Sequence, residues 1–127
     1  MEARVHESHS ISTQVRHRGA DFAAAIIGHI YNIPIDELRA TTRRCARAAF
    51  ARQVAMYLAH VVYGLSLTEV AAAFGRDRTT ASHACHLIED LRDNILFDRH
   101  MGRVENVLRE TAHIEVAHIA RPRFEAV

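Results

Sequence analysis

Apolar residues recur every three or four positions along most of the chain, the period of helices packed through one face. Asp21 can cap a first helix running to about Tyr31, with Phe22, Ala25, Ile26, His29 and Ile30 on one side. The Asn32-Ile33-Pro34 step ends it, because a residue before proline avoids the helical region. Pro34 suits entry to a short turn of helix, IDEL. From about Thr42 to Tyr63, the spacing of Phe50, Val54, Tyr57, Leu58 and Val61 predicts a long helix, and Gly64 supplies its stop. Ser66 followed by Glu69 three residues on is a capping box, so a short helix LTEVAAAF starts there and Gly75 closes it. The next helix is expected from Asp77 or Arg78 to about Asn94, with Ala81, Ala84, Cys85, Ile88, Leu91 and Ile95 on its inner face. A last helix, roughly 98–113, puts Val104, Val107, Leu108 and Thr111 inward, and the tail extends it until Arg121-Pro122. No strand or hairpin pattern occurs, so the fold class is all-α.

Residues 1–19 lack sustained periodicity and are expected to form a flexible arm. The organisation this predicts is an arm over 1–19, one helical domain over 20–112, and a carboxyl-terminal extension over 113–127.

Composition narrows the function more by distribution than by total. The net charge is only +1, yet Arg39, Arg43, Arg44, Arg47 and Arg52 fall in a stretch without a single acid. Glu89, Asp90, Asp93 and Asp98 gather later against Arg92 alone. A basic face and an acidic one are therefore expected. The apolar run Val54 to Val62 is broken by His60 and too short to span a bilayer, and residues 1–19 have no apolar block of the signal-peptide kind. Two cysteines, Cys45 and Cys85, make no disulfide framework. Cytoplasmic, nucleoid-associated placement and no membrane partner are the expectations.

The short helix pair has the layout of a DNA-reading helix-turn-helix. Counting Leu67 as first, the fifth position is Ala71, small enough for two helices to cross closely, and the ninth is Gly75, free to take a left-handed turn. Val70, Phe74, Ala81 and Ala84 are the apolar residues that lock the crossing angle. With that stripe removed, Arg78, Thr79, Ser82, His83 and His86 remain on the outer side of the second helix, followed by Glu89, Asp90 and Asp93. Phosphates repel those acids, so only the first two turns suit a duplex, the part a recognition helix presents to the major groove. Arg78 can donate twice to guanine O6 and N7, while Thr79 and Thr80 can touch a thymine methyl or a phosphate. Asp77 reads first as a helix cap.

The runs ARQVAMYL (51–58) and LSLTEVAAAFGRDRTTASHAC (65–85) resemble domain IV of the bacterial replication initiator DnaA, the module that binds DnaA boxes. The likeness covers about residues 21–112. It implies a minor-groove role for Arg44, phosphate or base-edge contacts for Arg52 and Gln53, and backbone-phosphate contact at the helix start Ser66, Leu67 and Thr68. Asp77, Thr79 and Thr80 match the signature loop and recognition-helix start. Arg43, Arg76, Arg78, Ser82 and His83 complete the DNA-binding candidates. Three departures stand out. The family's double glycine is a single Gly75, its signature histidine is Arg78, and Phe50 stands where a basic residue often precedes the Arg-Gln pair. The shorter turn can rotate the recognition helix and Arg78 prefers guanine, which leaves open whether the usual nine-base DnaA box is the target.

These 127 residues hold no G-x-x-x-x-G-K-[ST] loop, so ATP-driven origin melting is not expected of this chain, which looks like a stand-alone relative of the module. The function expected is sequence-specific binding of double-stranded DNA that modulates replication initiation or transcription. The alternative is an adaptor that binds DnaA or a DnaA regulator, through segments such as ARPRF (120–124) and the arm. Ten histidines raise a metal site as a third idea, with His83, Cys85, His86 and Asp90 close in sequence. Ligands on a helix converge at i and i+4, and of these only His86 and Asp90 do so. Ser82, His83 and Asp77 form no triad, since nothing fixes a base beside the hydroxyl. No cofactor, metal or catalytic activity is therefore expected.

Overall fold

The computed structural model describes residues 2–40 and 45–120, with side chains over 16–40 and 45–111. Six helices follow one another: α1 (Glu2–Ile30), α2 (Ile35–Leu38), α3 (Ala46–Val61), α4 (Leu67–Ala73), α5 (Arg78–Leu91) and α6 (Ile95–Ala120). No strand occurs among the described residues.

Helix α3 is the hub. Its run Val54, Ala55, Met56, Tyr57, Leu58 and Ala59 is buried without a break, so this segment has no solvent face, as expected of a helix enclosed on all sides. Helix α1 packs along it on one side and α5 on another. The expected stripe on α3 is thus part of a fully enclosed surface, with Phe50 and Val61 at its half-buried margins.

Helix α1 corrects two expectations. It begins at Glu2 rather than Asp21, and within it Gly19 is buried and Ala20 fully so. Arg16 ties this stretch down, donating from Nη2 to the Glu69 carboxylate at 2.8 Å and to the Gly64 carbonyl at 3.1 Å. The buried face is also rotated from the one expected. Ala20, Ala23, Ala24 and Ile27 are inside, whereas Ala25, His29 and Ile30 are exposed and Phe22 and Ile26 half-buried. Alanines at i, i+3 and i+4, followed by Ile27 at i+7, let two helix backbones approach closely, and that outweighed the bulk of the alternative face.

The end of α1 explains why it stops. Asn32 has φ of 55°, Asn32 N–H donates to the His29 carbonyl at 3.3 Å, and Ile33 N–H donates to the Gly28 carbonyl at 2.8 Å. This is a Schellman ending with asparagine in the left-handed position, so the stop precedes Pro34 and does not depend on it alone.

Beyond α5, Arg92 is the fastener. Its Nε donates to Asp98 Oδ1 at 2.7 Å, and its Nη1 donates to the Tyr57 hydroxyl at 3.0 Å and to Glu105. These bonds join the α5–α6 corner to α3. Helix α6 begins at Ile95, earlier than expected, and inserts Met101, Val104 and Leu108 into the core. Val107 points outward, as do Leu91 and Ile95, against the expected inner faces. Tyr31 stacks with Phe50 and with His100, Phe97 meets Phe50 and His100 at a tilt, all with ring centroids about 6 Å apart, and the Tyr31 hydroxyl pairs with His100 Nε2 at 3.0 Å.

Candidate nucleic-acid interface

The two short helices are shaped by their ends. At the start of α4, Ser66 Oγ accepts from Glu69 N–H at 3.1 Å and Ser66 N–H donates to Glu69 Oε1 at 2.9 Å, the reciprocal capping box expected there. The Ser66 N–H bond, the Ser66 hydroxyl and the charge of Arg16 hold the Glu69 carboxyl below the usual range. Thr68 and Ser66 are exposed beside this cap, and Leu67 is half-buried against the core.

At the other end of α4, Gly75 has φ of +61°. Its N–H donates to the Ala72 carbonyl at 3.3 Å, and Arg76 N–H donates to the Ala71 carbonyl at 2.8 Å. These are the two bonds of a Schellman motif with glycine in the left-handed position. One glycine is therefore enough to reverse the chain here. Asp77 then caps α5, its Oδ1 accepting from Thr80 N–H at 2.7 Å. That bond and the Thr80 hydroxyl hold the Asp77 carboxyl below its usual value. The side chain of Asp77 is occupied by this task, as the capping reading expected.

The inner face of α5 is Ala81, Ala84, Cys85 and Ile88, all buried. Its outer face begins with exposed Arg78, Thr79, Thr80 and His83, while Ser82 is half-buried. Exposed Glu89 and Asp90 follow toward the far end. Arg78 makes no hydrogen bond or ion pair among the described residues, so its guanidinium is available.

Between α3, the turn and α5 lies a cleft of about 640 Å³ lined by Ala49, Arg52, Gln53, Met56, Arg76, Thr79, Thr80 and His83. Six of these were candidates from the sequence, drawn from segments about 25 residues apart. Ala49 and Met56 were not, although they sit at i−4 and i+3 from Gln53 and thus on its face of α3. Ser66, Leu67 and Thr68 lie at the start of α4 and do not line the cleft. Arg43 and Arg44 lie outside the described residues.

Two candidates are less free than expected. Arg52 is only 8% exposed, and its Nε donates to the Leu38 carbonyl at 2.7 Å. Burial, with the nearby charge of Arg76, lowers its pKa. Arg76 is half-buried and donates from Nη2 to the Ala40 carbonyl at 2.6 Å. Both arginines line the cleft while donating to carbonyls at the end of α2 and just beyond it.

Cys85 faces the core while His83 and His86 face outward, and among the described residues no group of three His, Cys, Asp or Glu could hold a metal ion. No described helix is long and apolar enough to cross a membrane.

A solved structure described as the crystal structure of a DNA replication initiation factor has the same fold, with a TM-score of 0.74 and 25% sequence identity. The alignment covers 84% of this chain and 33% of that one, so the chain spans about a third of its relative's length. Residues 23–88, just over half of the chain, match the helix-turn-helix of the bacterial DnaA protein. On that match the chain belongs to the bacterial DnaA helix-turn-helix family.

Proposed function

We propose that the chain binds double-stranded DNA by laying the first two turns of α5 in the major groove, and thereby modulates replication initiation or transcription from the nucleoid. The observation that carries this is the cleft, which gathers Gln53, Thr79, Thr80 and His83 beside two guanidinium groups and the amino end of a 14-residue helix. Thr79, Thr80 and Gln53 supply donors for phosphate and base edges. Arg78, exposed at the first helical position, selects guanine by two parallel bonds. Ser66 and Thr68 offer a second phosphate contact at the start of α4. The role is binding rather than catalysis, and DnaA-box-like sites are the first targets to try.

Titrating labelled duplexes at several salt concentrations tests the reading. Three to six phosphate contacts predict a log–log slope of about −3 to −5. A flat response, or no binding at low salt, refutes it. A second reading is an adaptor that contacts DnaA or a DnaA regulator; Phe50 packs near Tyr31 and Phe97 and brings no charge to a position where a basic residue often precedes the Arg-Gln pair. Recovery of replication proteins from the native host after nuclease treatment would favour the adaptor.

A further inference from the structure

The residues Leu38, Arg39 and Ala40, which end α2 and lead toward α3, are fastened to α3 and to the helix-turn-helix through three arginines. Arg76 donates to the Ala40 carbonyl at 2.6 Å and also reaches the Phe74 and Gly75 carbonyls, each at 3.4 Å. Arg52 donates to the Leu38 carbonyl at 2.7 Å. Between them, the Arg39 guanidinium lies 5.5 Å from the centroid of the Phe74 ring and pairs with Asp21 at 2.6 Å. A cation over an aromatic face and charge-assisted bonds to carbonyls are both directional, so they fix orientation as well as proximity.

This arrangement is unusual for residues meant only to meet a phosphate. A phosphate-binding arginine keeps its guanidinium in solvent until the duplex arrives. Arg52 has almost no solvent exposure, and both Nη atoms of Arg76 donate to backbone carbonyls inside the protein. What the two bonds accomplish is mechanical. The Arg52 bond joins the end of α2 to α3, and the Arg76 bond joins the residues after α2 to the turn that leads into α5, across 36 residues of sequence. The turn has only one glycine, so this strap adds to the packing of α5 against α3 and α4 in setting the angle of α5.

We propose that Arg76, assisted by Arg52, is a positioning residue for sequence-specific DNA reading: it acts through Ala40 and the turn to hold α5 at its reading angle. The inference rests on the duplex-binding reading above. It separates affinity from specificity. Loss of Arg76 lets α5 tilt, which scrambles base contacts by Arg78 and Thr79 while leaving phosphate contacts elsewhere in place.

The test uses the full chain, wild type and with Arg76→Ala or Arg76→Lys, each checked for helical content. Wild-type protein first enriches its preferred sequence from a random duplex library. Affinities for that duplex and an unrelated one are then measured across salt. Arg76→Ala is expected to lose at least about tenfold in preference for the enriched duplex. Its salt slope on the unrelated duplex should change by much less than the ~0.9 that one phosphate contact contributes. Lysine should not restore the preference, because three donors on one nitrogen cannot span Ala40 and the turn as a planar fork does. Amide exchange at Arg39 and Ala40 in the DNA-free protein should rise in both variants. A slope reduced by about 0.9 with preference intact and rescued by lysine makes Arg76 a phosphate contact and overturns the inference. Unchanged exchange at Arg39 and Ala40 overturns it as well. Failure of the wild type to bind any duplex refutes DNA binding itself, a result distinct from either, and removes this role with it.

Discussion

Gly75→Ala isolates the cost of the turn between the two short helices. A Cβ added at Gly75 meets nothing within 4 Å, so the substitution introduces no clash. The whole effect comes from the backbone, where φ of +61° places an alanine in the left-handed region. That costs about 1–2 kcal/mol, and the stiffer unfolded chain of alanine returns about 0.4–1 kcal/mol. The net loss is about 1 kcal/mol, taken from the larger end of the first range and the middle of the second. With a urea slope of roughly 1.5 kcal/mol per molar for a domain this size, the denaturation midpoint should fall by about 0.7 M with no change in slope. Gly75→Asn should lose about half as much, because asparagine tolerates this region, as Asn32 does at the end of α1. Equal losses for alanine and asparagine, or none for alanine, would mean that the left-handed backbone is not what the turn requires.

Gly19→Ala makes the opposite kind of demand. Its Cβ would lie 2.2 Å from Tyr63 Cδ1, so either the ring or α1 must move. A loss of about 1–3 kcal/mol is expected by thermal unfolding, partly recovered in combination with Tyr63→Leu; an unchanged melting temperature would contradict the close approach. Native protein should show one fast thiol toward an aromatic disulfide reagent at pH 8 and a second only after unfolding. Cys45 is exposed, whereas burial and then the charge of Glu89 push the Cys85 thiol up to about 11. The Asp77 carboxyl is held below its usual value chiefly by the Thr80 N–H, so its contribution is present above the unfolded pKa and lost as pH falls through the folded one. Asp77→Asn should therefore flatten the stability–pH curve between roughly pH 5 and 2, and parallel curves would refute the cap as the cause.

Where bonds are local, the sequence predicted them well. The capping box at Ser66, the cap at Asp77, the glycine stops and the inner face of α5 as far as Ile88 all follow from residues within one or two turns of each other. The faces of α1 and α6 did not follow so directly. Ala20, Ala23 and Ala24 won over Phe22, Ile26 and Ile30 because the close approach of α3 decides which stripe is buried, and no single-helix pattern contains that partner. Arg16 behaves the same way, since its partner Glu69 lies 53 residues on. The site divides along the same line. Thr79, Thr80 and His83 were legible from spacing on α5, while Ala49 and Met56 became part of the cleft only when α3 crossed it.

Arginine content alone overstates how many charges this chain can offer a duplex. Arg16, Arg39, Arg52, Arg76 and Arg92 each donate to a carbonyl or carboxylate within the protein. Arg47 donates to the Tyr31 carbonyl as well. Their charges still contribute to the surrounding field, but their geometry is committed, and a counterion is released only where a cation meets a phosphate. Arg78 is different: it is exposed, makes no bond among the described residues, and stands at the first position of α5. Its removal should therefore change which duplex is preferred more than how steeply binding depends on salt. On the proposed duplex-binding reading the salt slope belongs at the shallow end of the range, near −3, and Arg78 is the guanidinium at the start of α5 expected to set specificity.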